Sequence, residues 1–337
     1  MKKLSIIEGH LATLMPEGPS IESKTLGPEW EIKNYGVLDK NQFSSIADSD
    51  AIIARTSHNF DSEQISILEK AKIIVTIGVG YDHIDIDAAA KKNIPVCNVP
   101  DYGTEEVADT TIAMILAHQR KIFLYKHKSQ NELHNWDWRI HREIKRSSKL
   151  NVGIIGIGRI GTAVAMRLKP FGYNINFYDP YANRGVEKSL GLNRVYDLEE
   201  LLKNSDIITI HAPFSEETDG MINDQFFNLI KDDAIIINTA RGGIFDSLDT
   251  IEYFLKNKKN LRIATDVLPF EPPSVHSLLE QWRKGGRWLD DRLIIMPHSA
   301  FYSEESCYEL RKFSVDIIKT VFSGGNPYNV VNAVYTL

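Results

Sequence analysis

Short apolar, β-branched runs alternate with helix-period stretches along most of the chain. Residues 4–7, 51–54, 73–77 and 95–99 form such runs early, and 152–155, 175–178, 207–210, 234–238, 263–267 and 293–296 form them later. Runs this short and this apolar read as strands buried on both faces. Between them, residues 61–71 carry Ile65, Leu68 and Ile67 on one helical face, and 85–92, 104 to about 123, 160–168, 247–255 and 303 to about 321 also read as helices. Strands separated by helical stretches predict right-handed βαβ crossovers, parallel sheets and an α/β fold. The first hundred residues make one α/β unit. The helix from Thr104, a candidate N-cap followed by Glu105 and Glu106, is expected to bridge it to a second. A polar excursion over 131–149 interrupts the pattern, and its Trp136 and Trp138 are expected to pack as an anchoring pair.

The run at 152–155 opens the most informative stretch. It leads into Gly156-Ile157-Gly158-Arg159-Ile160-Gly161, then a helix, then a second strand closing on Asp179. A strand, a G-x-G-x-x-G turn, a helix, a strand and an acid roughly 20 residues on form the order a dinucleotide site requires. Gly156 permits the turn, Gly158 lets a pyrophosphate approach the backbone, and Gly161 allows close helix packing. The helix start at Arg159 and Ile160 offers N–H groups and a positive dipole end to phosphates. Asp179 is placed to accept from the adenosine ribose and to repel a 2′-phosphate, which favours NAD.

Composition narrows the setting. The chain has 337 residues, 43% apolar and 25% charged, with a net charge of −6. It is long enough for two domains. No dense basic block points to nucleic acid, and no apolar run approaches the roughly 18 residues of a membrane span. The start lacks a signal-length apolar region, and two cysteines, Cys97 and Cys307, make no disulfide framework. A cytoplasmic location is expected, and no metal site is evident.

Candidate chemistry collects at strand ends, where parallel sheets bind ligands. Arg241, Glu271 and His298 each follow a strand, as do His211, Pro213 and Thr239. A histidine suits proton donation during carbonyl reduction. A carboxylate beside it fixes the ring, and a guanidinium can clamp a substrate carboxylate. Singly, Arg241 reads equally well as a salt-bridge residue, Glu271 as a loop acid and His298 as a half-buried histidine; their joint placement favours a catalytic set. Gly78-Val79-Gly80 suggests backbone N–H groups facing an anion. Arg55, ending the run at 51–54, reads either as a cation for a substrate tail or as a solvated loop arginine. His83, His118, His127, His134 and His141 lack such context and are read as structural.

The stretches GVGYDHIDIDAAAKKNIPVCNVPDYGTEEVADTTIAMILAHQRK, VGIIGIGRIGTAVAMRLKPFGYNINFYDP, INTARGG, ATDVLPFEPP and MPHSAFYSEES together resemble the D-isomer-specific 2-hydroxyacid dehydrogenase family, as does NVVNA near the tail. The resemblance implies two Rossmann-like domains with parallel sheets. A flavodoxin-like substrate domain would comprise 1–102 and 300–337, and a central NAD-binding domain 103–299, the latter forming the usual homodimer. It implies Arg241 as the substrate arginine, Glu271 as the partner of His298, and His298 as the acid/base. Val79 and Gly80 would bind the substrate carboxylate, and Thr104 and His211, with Pro213, Thr239 and Asp266, would lie near NAD. The implied partner is a small 2-keto or 2-hydroxy acid.

Within the family, CNVPDYGTEEVADTT and PHSAFYSE look closest to the branch of the C-terminal binding protein corepressors. An NAD-sensing binding protein is therefore the alternative function. The chain departs from that branch at Thr76, where the branch has arginine, and at Phe301, where it has tryptophan. The segment 274–291, with Trp282 and Trp288, is also longer.

Overall fold

A computed structural model divides the chain into two compact units, Met1–Gly103 with Tyr302–Leu337, and Thr104–Phe301. It describes residues 1–8, 14, 16, 18–56, 58–131, 136–140, 144–286 and 288–333, excepting the side chains of 40, 41 and 140. His134 and His141 lie outside the described residues, as does Ser57.

In the first unit, β1 (Lys2–Ile7), β2 (Trp30–Tyr35), β3 (Ala51–Ala54), β4 (Ile73–Thr76) and β5 (Val96–Cys97) form a parallel sheet in the order β2-β1-β3-β4-β5. This is the flavodoxin-like order. β2 and the helix Ser20–Leu26 before it escape the sequence pattern. β2 is an edge strand whose Trp30 alone is fully buried, so it lacks the apolar run of a central strand. The helix expected over 61–71 spans only Ser62–Ser66. Lys92 Nζ explains the early stop: it donates to the carbonyls of Ile65, Ser66 and Leu68 at 3.2, 2.6 and 2.6 Å and satisfies the helix end. Ile65 and Leu68 are buried, as the pattern required.

The chain returns to this unit at its far end. Ser303 caps the helix Glu304–Phe322 by accepting from Ser306 N at 2.8 Å. That helix packs Leu310, Val315, Ile317 and Ile318 against Leu4, Ile6, Ile53 and Val75. Its Arg311 makes a buried two-pronged pair with Glu22, at 2.9 and 2.8 Å. Asn332 accepts from Val96 N at 3.0 Å and donates to the Ile94 carbonyl at 2.9 Å, tying the tail to β5.

In the second unit, β6 (Asn151–Ile155), β7 (Asn174–Tyr178), β8 (Asn193–Arg194), β9 (Ile207–Ile210), β10 (Ile235–Asn238), β11 (Arg262–Thr265) and β12 (Leu293–Ile295) pair in parallel, in the order β12-β11-β10-β9-β6-β7-β8. The order reverses between β6 and β9, which is the switch point of a Rossmann sheet.

Four expectations change here. The helix from Thr104 breaks into Thr104–Gln119 and Ile122–Asn131, because Lys121 takes a left-handed φ of 52°. Thr104 is its first helical residue, not the cap. The first of these helices belongs wholly to the second unit, burying Ala108, Ile112, Met114 and Ile115 beside Val152, Ile154 and Val164, so it is a layer and not a bridge. Trp136 and Trp138 do not pack; they are 79% and 81% exposed. Trp282 and Trp288, in contrast, pack on the core, their indole N–H groups donating to Leu293 O and Gln281 Oε1. His83 and His118 are buried, and His127 Nε2 stands 3.7 Å from Asp290. Among the described residues, no helix is long and apolar enough to cross a membrane.

Candidate active site

The second unit gathers its polar strand-end residues through close contacts between successive loops. Gly156 leaves β6 at φ 89°, and a Cβ there would stand 2.8 Å from Ala212 N, so the glycine turn lies directly against the His211 loop after β9. Gly158 starts the helix Arg159–Leu168, and its Cα has nothing within 4 Å of where a Cβ would project. This is the open backbone approach a pyrophosphate needs, facing first-turn N–H groups. Gly161 closes the motif: a Cβ there would meet Gly156 O at 2.0 Å. The residues present therefore fit a dinucleotide.

Asp179 follows β7 with both oxygens in use. Oδ2 accepts from Ile157 N, and Oδ1 from Tyr181 N and Ala182 N, each at 2.9 Å. A carboxylate oxygen has two lone pairs, so Oδ2 retains one acceptor position for a ribose hydroxyl. The same side chain thus fixes the glycine turn and its own loop. His211 donates its N–H to Ile155 O, and its Nε2 lies 2.9 Å from Thr209 Oγ1. Burial holds the ring neutral, pushing its pKa down to about 3. Pro213 O accepts from Thr218 Oγ1 at 2.7 Å, and Thr239 Oγ1 pairs with Thr111 Oγ1 at 3.0 Å.

The loops after β10, β11 and β12 bring Arg241, Glu271 and His298 to the same edge of the sheet. Arg241 caps the short turn Gly242–Ile244 and donates Nη1 to Ala240 O at 2.9 Å. Glu271 Oε1 accepts from Leu268 N at 2.8 Å, and its Oε2 lies 2.6 Å from His298 Nδ1. An ionised Glu271 is acceptor-only, so Nδ1 carries the proton toward it and Nε2 is left for chemistry. His298 sits at φ 54°, a left-handed backbone that costs a non-glycine residue energy. The strain is held by Asp266, which is 2% exposed. Its carbonyl accepts from His298 N at 2.8 Å, and its Oδ1 and Oδ2 accept from Ser299 N and Ala300 N at 2.8 and 2.9 Å. Burial raises the Asp266 carboxyl above its ordinary range, and those two N–H bonds and His298 oppose the rise. The sequence reading named Asp266 only as a residue near NAD; its grip on the three residues from His298 onward was not visible in the sequence.

In the first unit, Val79 and Gly80 follow β4. Gly78 O accepts from Val99 N at 2.9 Å and Val79 O from Asn98 Nδ2 at 2.7 Å. Across trans peptides the next N–H points the opposite way, so the N–H groups of Val79 and Gly80 turn away from these bonds. Thr76, fully buried, donates to Gly80 O at 3.1 Å and braces the loop. Asn98 is a loop-setting residue that sequence reasoning missed, and Thr76, noted there only as a departure from the related branch, is another. Arg55 is 8% exposed, which overturns its reading as a solvated loop arginine. Burial lowers its pKa, and the charge of Glu8 opposes that most strongly.

Elsewhere in the second unit, Asp249, Glu252 and His276 bring ligand-type atoms within 4.8 Å of one another. His276 Nδ1 accepts from Leu278 N at 3.1 Å, so Nε2 bears the proton and donates to Asp249 Oδ1, also at 3.1 Å. That tautomer presents no lone pair to a cation.

The model of the D-isomer specific 2-hydroxyacid dehydrogenase NAD-binding domain matches residues 112–300. The chain is 35% identical over 297 residues to D-3-phosphoglycerate dehydrogenase of Methanocaldococcus jannaschii, covering 88% of this chain and 54% of that protein. It is 31% identical to C-terminal-binding protein 1 of Caenorhabditis elegans, covering 85% of this chain and 39% of that one. The chain thus spans about half the length of the first relative and less of the second. Among solved structures, D-lactate dehydrogenase from Aquifex aeolicus, complexed with NAD and lactic acid, superposes with a TM-score of 0.80 at 29% identity, over 95% of this chain and 96% of that one. D-lactate dehydrogenase with NAD+ from Lactobacillus jensenii superposes at 0.76 with 25% identity, over 98% and 100%. With its NAD-binding domain matched over more than half the chain, this protein belongs to the D-isomer specific 2-hydroxyacid dehydrogenase family.

Proposed function

We propose that the protein is an NAD-dependent oxidoreductase that interconverts a 2-keto acid and its D-2-hydroxy acid, with His298 as acid/base. The observation that carries this reading is the 2.6 Å contact between His298 Nδ1 and Glu271 Oε2. Glu271 accepts a hydrogen bond from Nδ1–H, which fixes the ring and leaves Nε2 to give a proton to the carbonyl oxygen in reduction, or to take one from the hydroxyl in oxidation. NAD, when bound, supplies or accepts the hydride. Arg241 binds the substrate carboxylate bidentately and polarises the adjoining carbonyl. In the first unit, the N–H groups of Val79 and Gly80 are assigned to carboxylate binding and Arg55 to the substrate tail. Gly156, Gly158, Arg159, Ile160, Gly161 and Asp179 hold the pyrophosphate and ribose, with Thr104, His211, Pro213, Thr239 and Asp266 around the remainder of NAD. The substrate domain is 1–102 with 300–337 and the NAD domain 103–299. The reading includes a cytoplasmic homodimer formed through the NAD domains.

The likeness to C-terminal-binding protein 1 supports a second reading, an NAD-sensing binding protein with little turnover. A panel of 2-keto acids assayed for NADH oxidation separates the two. Turnover lost in His298→Ala supports the enzyme. No turnover with any acid, together with NADH-dependent association, supports the sensor.

A further inference from the structure

In the second unit, β6 lies between β7 and β9, so the loops that follow those two strands flank the glycine turn on either side. Gly156 N donates to Tyr178 O at 2.9 Å on one side, and a Cβ on Gly156 would meet Ala212 N at 2.8 Å on the other. A side-chain bond joins the two loops above that turn. Tyr181, two residues beyond Asp179, donates its phenol O–H to Glu217 Oε2. Both residues are exposed, Tyr181 to 75%, so the bond runs across the outer side of the groove and not through the core. The bond to Glu217 is the main reason the phenol pKa stands above its ordinary value. The charge of Asp179 adds to the rise, which places the phenol near the acid assigned to the adenosine ribose.

Each end of this bond stands on a braced loop. Asp179 Oδ1 accepts from Tyr181 N and Ala182 N, each at 2.9 Å. On the far side, Thr218 Oγ1 donates to Pro213 O at 2.7 Å and accepts from Ser215 N at 2.9 Å, and Asp219 N donates to Ser215 O at 2.8 Å. The backbones are thereby fixed, and only the two side chains have to swing apart. A dinucleotide whose pyrophosphate lies on the glycine turn and whose ribose reaches Asp179 runs from β6 toward β7, beneath the bridge.

We propose that Tyr181 and Glu217 form a clasp over the adenosine half of NAD, a bond that parts for the cofactor to enter or leave and closes again behind it. This rests on the reading that sets NAD on the glycine turn and Asp179, and not on which acid is turned over. A bond made both before and after passage raises the barrier equally in the two directions, because each rate is scaled by the fraction of molecules in which the clasp is open. It sets how long NAD stays without setting how tightly it binds.

The test follows NADH fluorescence by stopped flow on the whole protein, with equilibrium titration for Kd. Tyr181→Phe keeps the ring and the backbone N–H and loses only the bond. Its association and dissociation rates should both rise by about 5-fold, the worth of a single exposed hydrogen bond, with Kd unchanged. Glu217→Ala also removes a negative charge from the path of an anionic cofactor, so its own rates mix two effects. Adding Tyr181→Phe to Glu217→Ala isolates the bond: it should change neither rate, because the shared contact is already gone. Unchanged rates in Tyr181→Phe alone overturn the clasp. So does faster dissociation with association unchanged, since that loss of affinity marks a group that holds the cofactor directly. A Tyr181→Phe effect that persists in the Glu217→Ala background also overturns it. A wild type that binds no NADH would instead remove the cofactor reading, and the clasp with it.

Discussion

The backbone of Gly242 lies against that of Leu268: a Cβ on Gly242 would stand 1.8 Å from the Leu268 carbonyl oxygen. The contact joins the loop that carries Arg241 to the loop that carries Glu271. Gly242→Ala should therefore separate the two side chains without touching either. Overpacking of this kind costs roughly 1–3 kcal/mol. We expect a lower melting temperature and a kcat/KM for 2-keto acid that falls much further than NADH affinity does. Parallel melts, NADH titrations and steady-state kinetics would check this; unchanged kinetics would mean that the spacing of the two loops does not matter.

His298→Ala should lower kcat by roughly 10²–10⁴, the usual worth of a positioned acid, with NADH binding nearly intact. Glu271→Gln should lower kcat, because an amide oxygen orients the ring less firmly than the carboxylate whose Oε2 lies 2.6 Å from Nδ1. Arg241→Lys should reduce kcat/KM more than charge counting suggests, since a point charge cannot reproduce a bidentate fork. A kcat that stays put in Glu271→Gln would separate the carboxylate from the histidine's chemistry.

These residues could be read from sequence because each follows an apolar run, and parallel strands deliver such residues to one edge. What supports them could not be read. Asp266 holds Ser299 and Ala300 across more than thirty residues, and nothing in the local pattern signals that bond. Gly242 looks like any turn glycine until Leu268 is placed against it. β2 was missed for a related reason: an edge strand exposes most of its length, so its residues need not be apolar. The helix from Thr104 kept its apolar period through Lys121, where only the left-handed φ shows that it stops.

Asp179→Ser should narrow the preference for NADH over NADPH by removing the charge that repels a 2′-phosphate. The structure adds a second effect. Asp179 accepts from the backbone of Ile157, Tyr181 and Ala182, so its loss also loosens the glycine turn. The KM for NADH should rise by more than the KM for NADPH falls. Equal use of both cofactors by the wild type would remove Asp179 from cofactor selection.

Arg55→Ala should raise KM for the best tailed substrate and leave KM for NADH alone, with glyoxylate much less affected. Because Arg55 is buried and the charge of Glu8 opposes the lowering of its pKa by burial, the variant also removes a buried side chain, and stability should fall as well. Kinetics on long and short acids separate the two effects: a loss that is equal for both would report folding alone.

His118 gives the second unit a dependence on pH that is independent of the active-site groups. It lies in the helix Thr104–Gln119, 2% exposed, and among the described residues its Nε2 has no hydrogen-bond partner. Burial, assisted by the charge of Arg262, pushes its pKa down to about 4, from 6.5; bonds to the backbone of Ile263 and Asp291 oppose the shift. Below pH 6.5 the unfolded chain binds a proton that the folded ring refuses. The stability contributed by a neutral His118 is therefore whole above that pH and is lost as pH falls toward 4. Linkage puts the loss at roughly 3 kcal/mol. Urea unfolding of the wild type should weaken steadily between pH 6.5 and 4, and His118→Gln should show a slope shallower by about one proton. Matching slopes for the two proteins would mean that the ring reaches solvent and takes up its proton without unfolding.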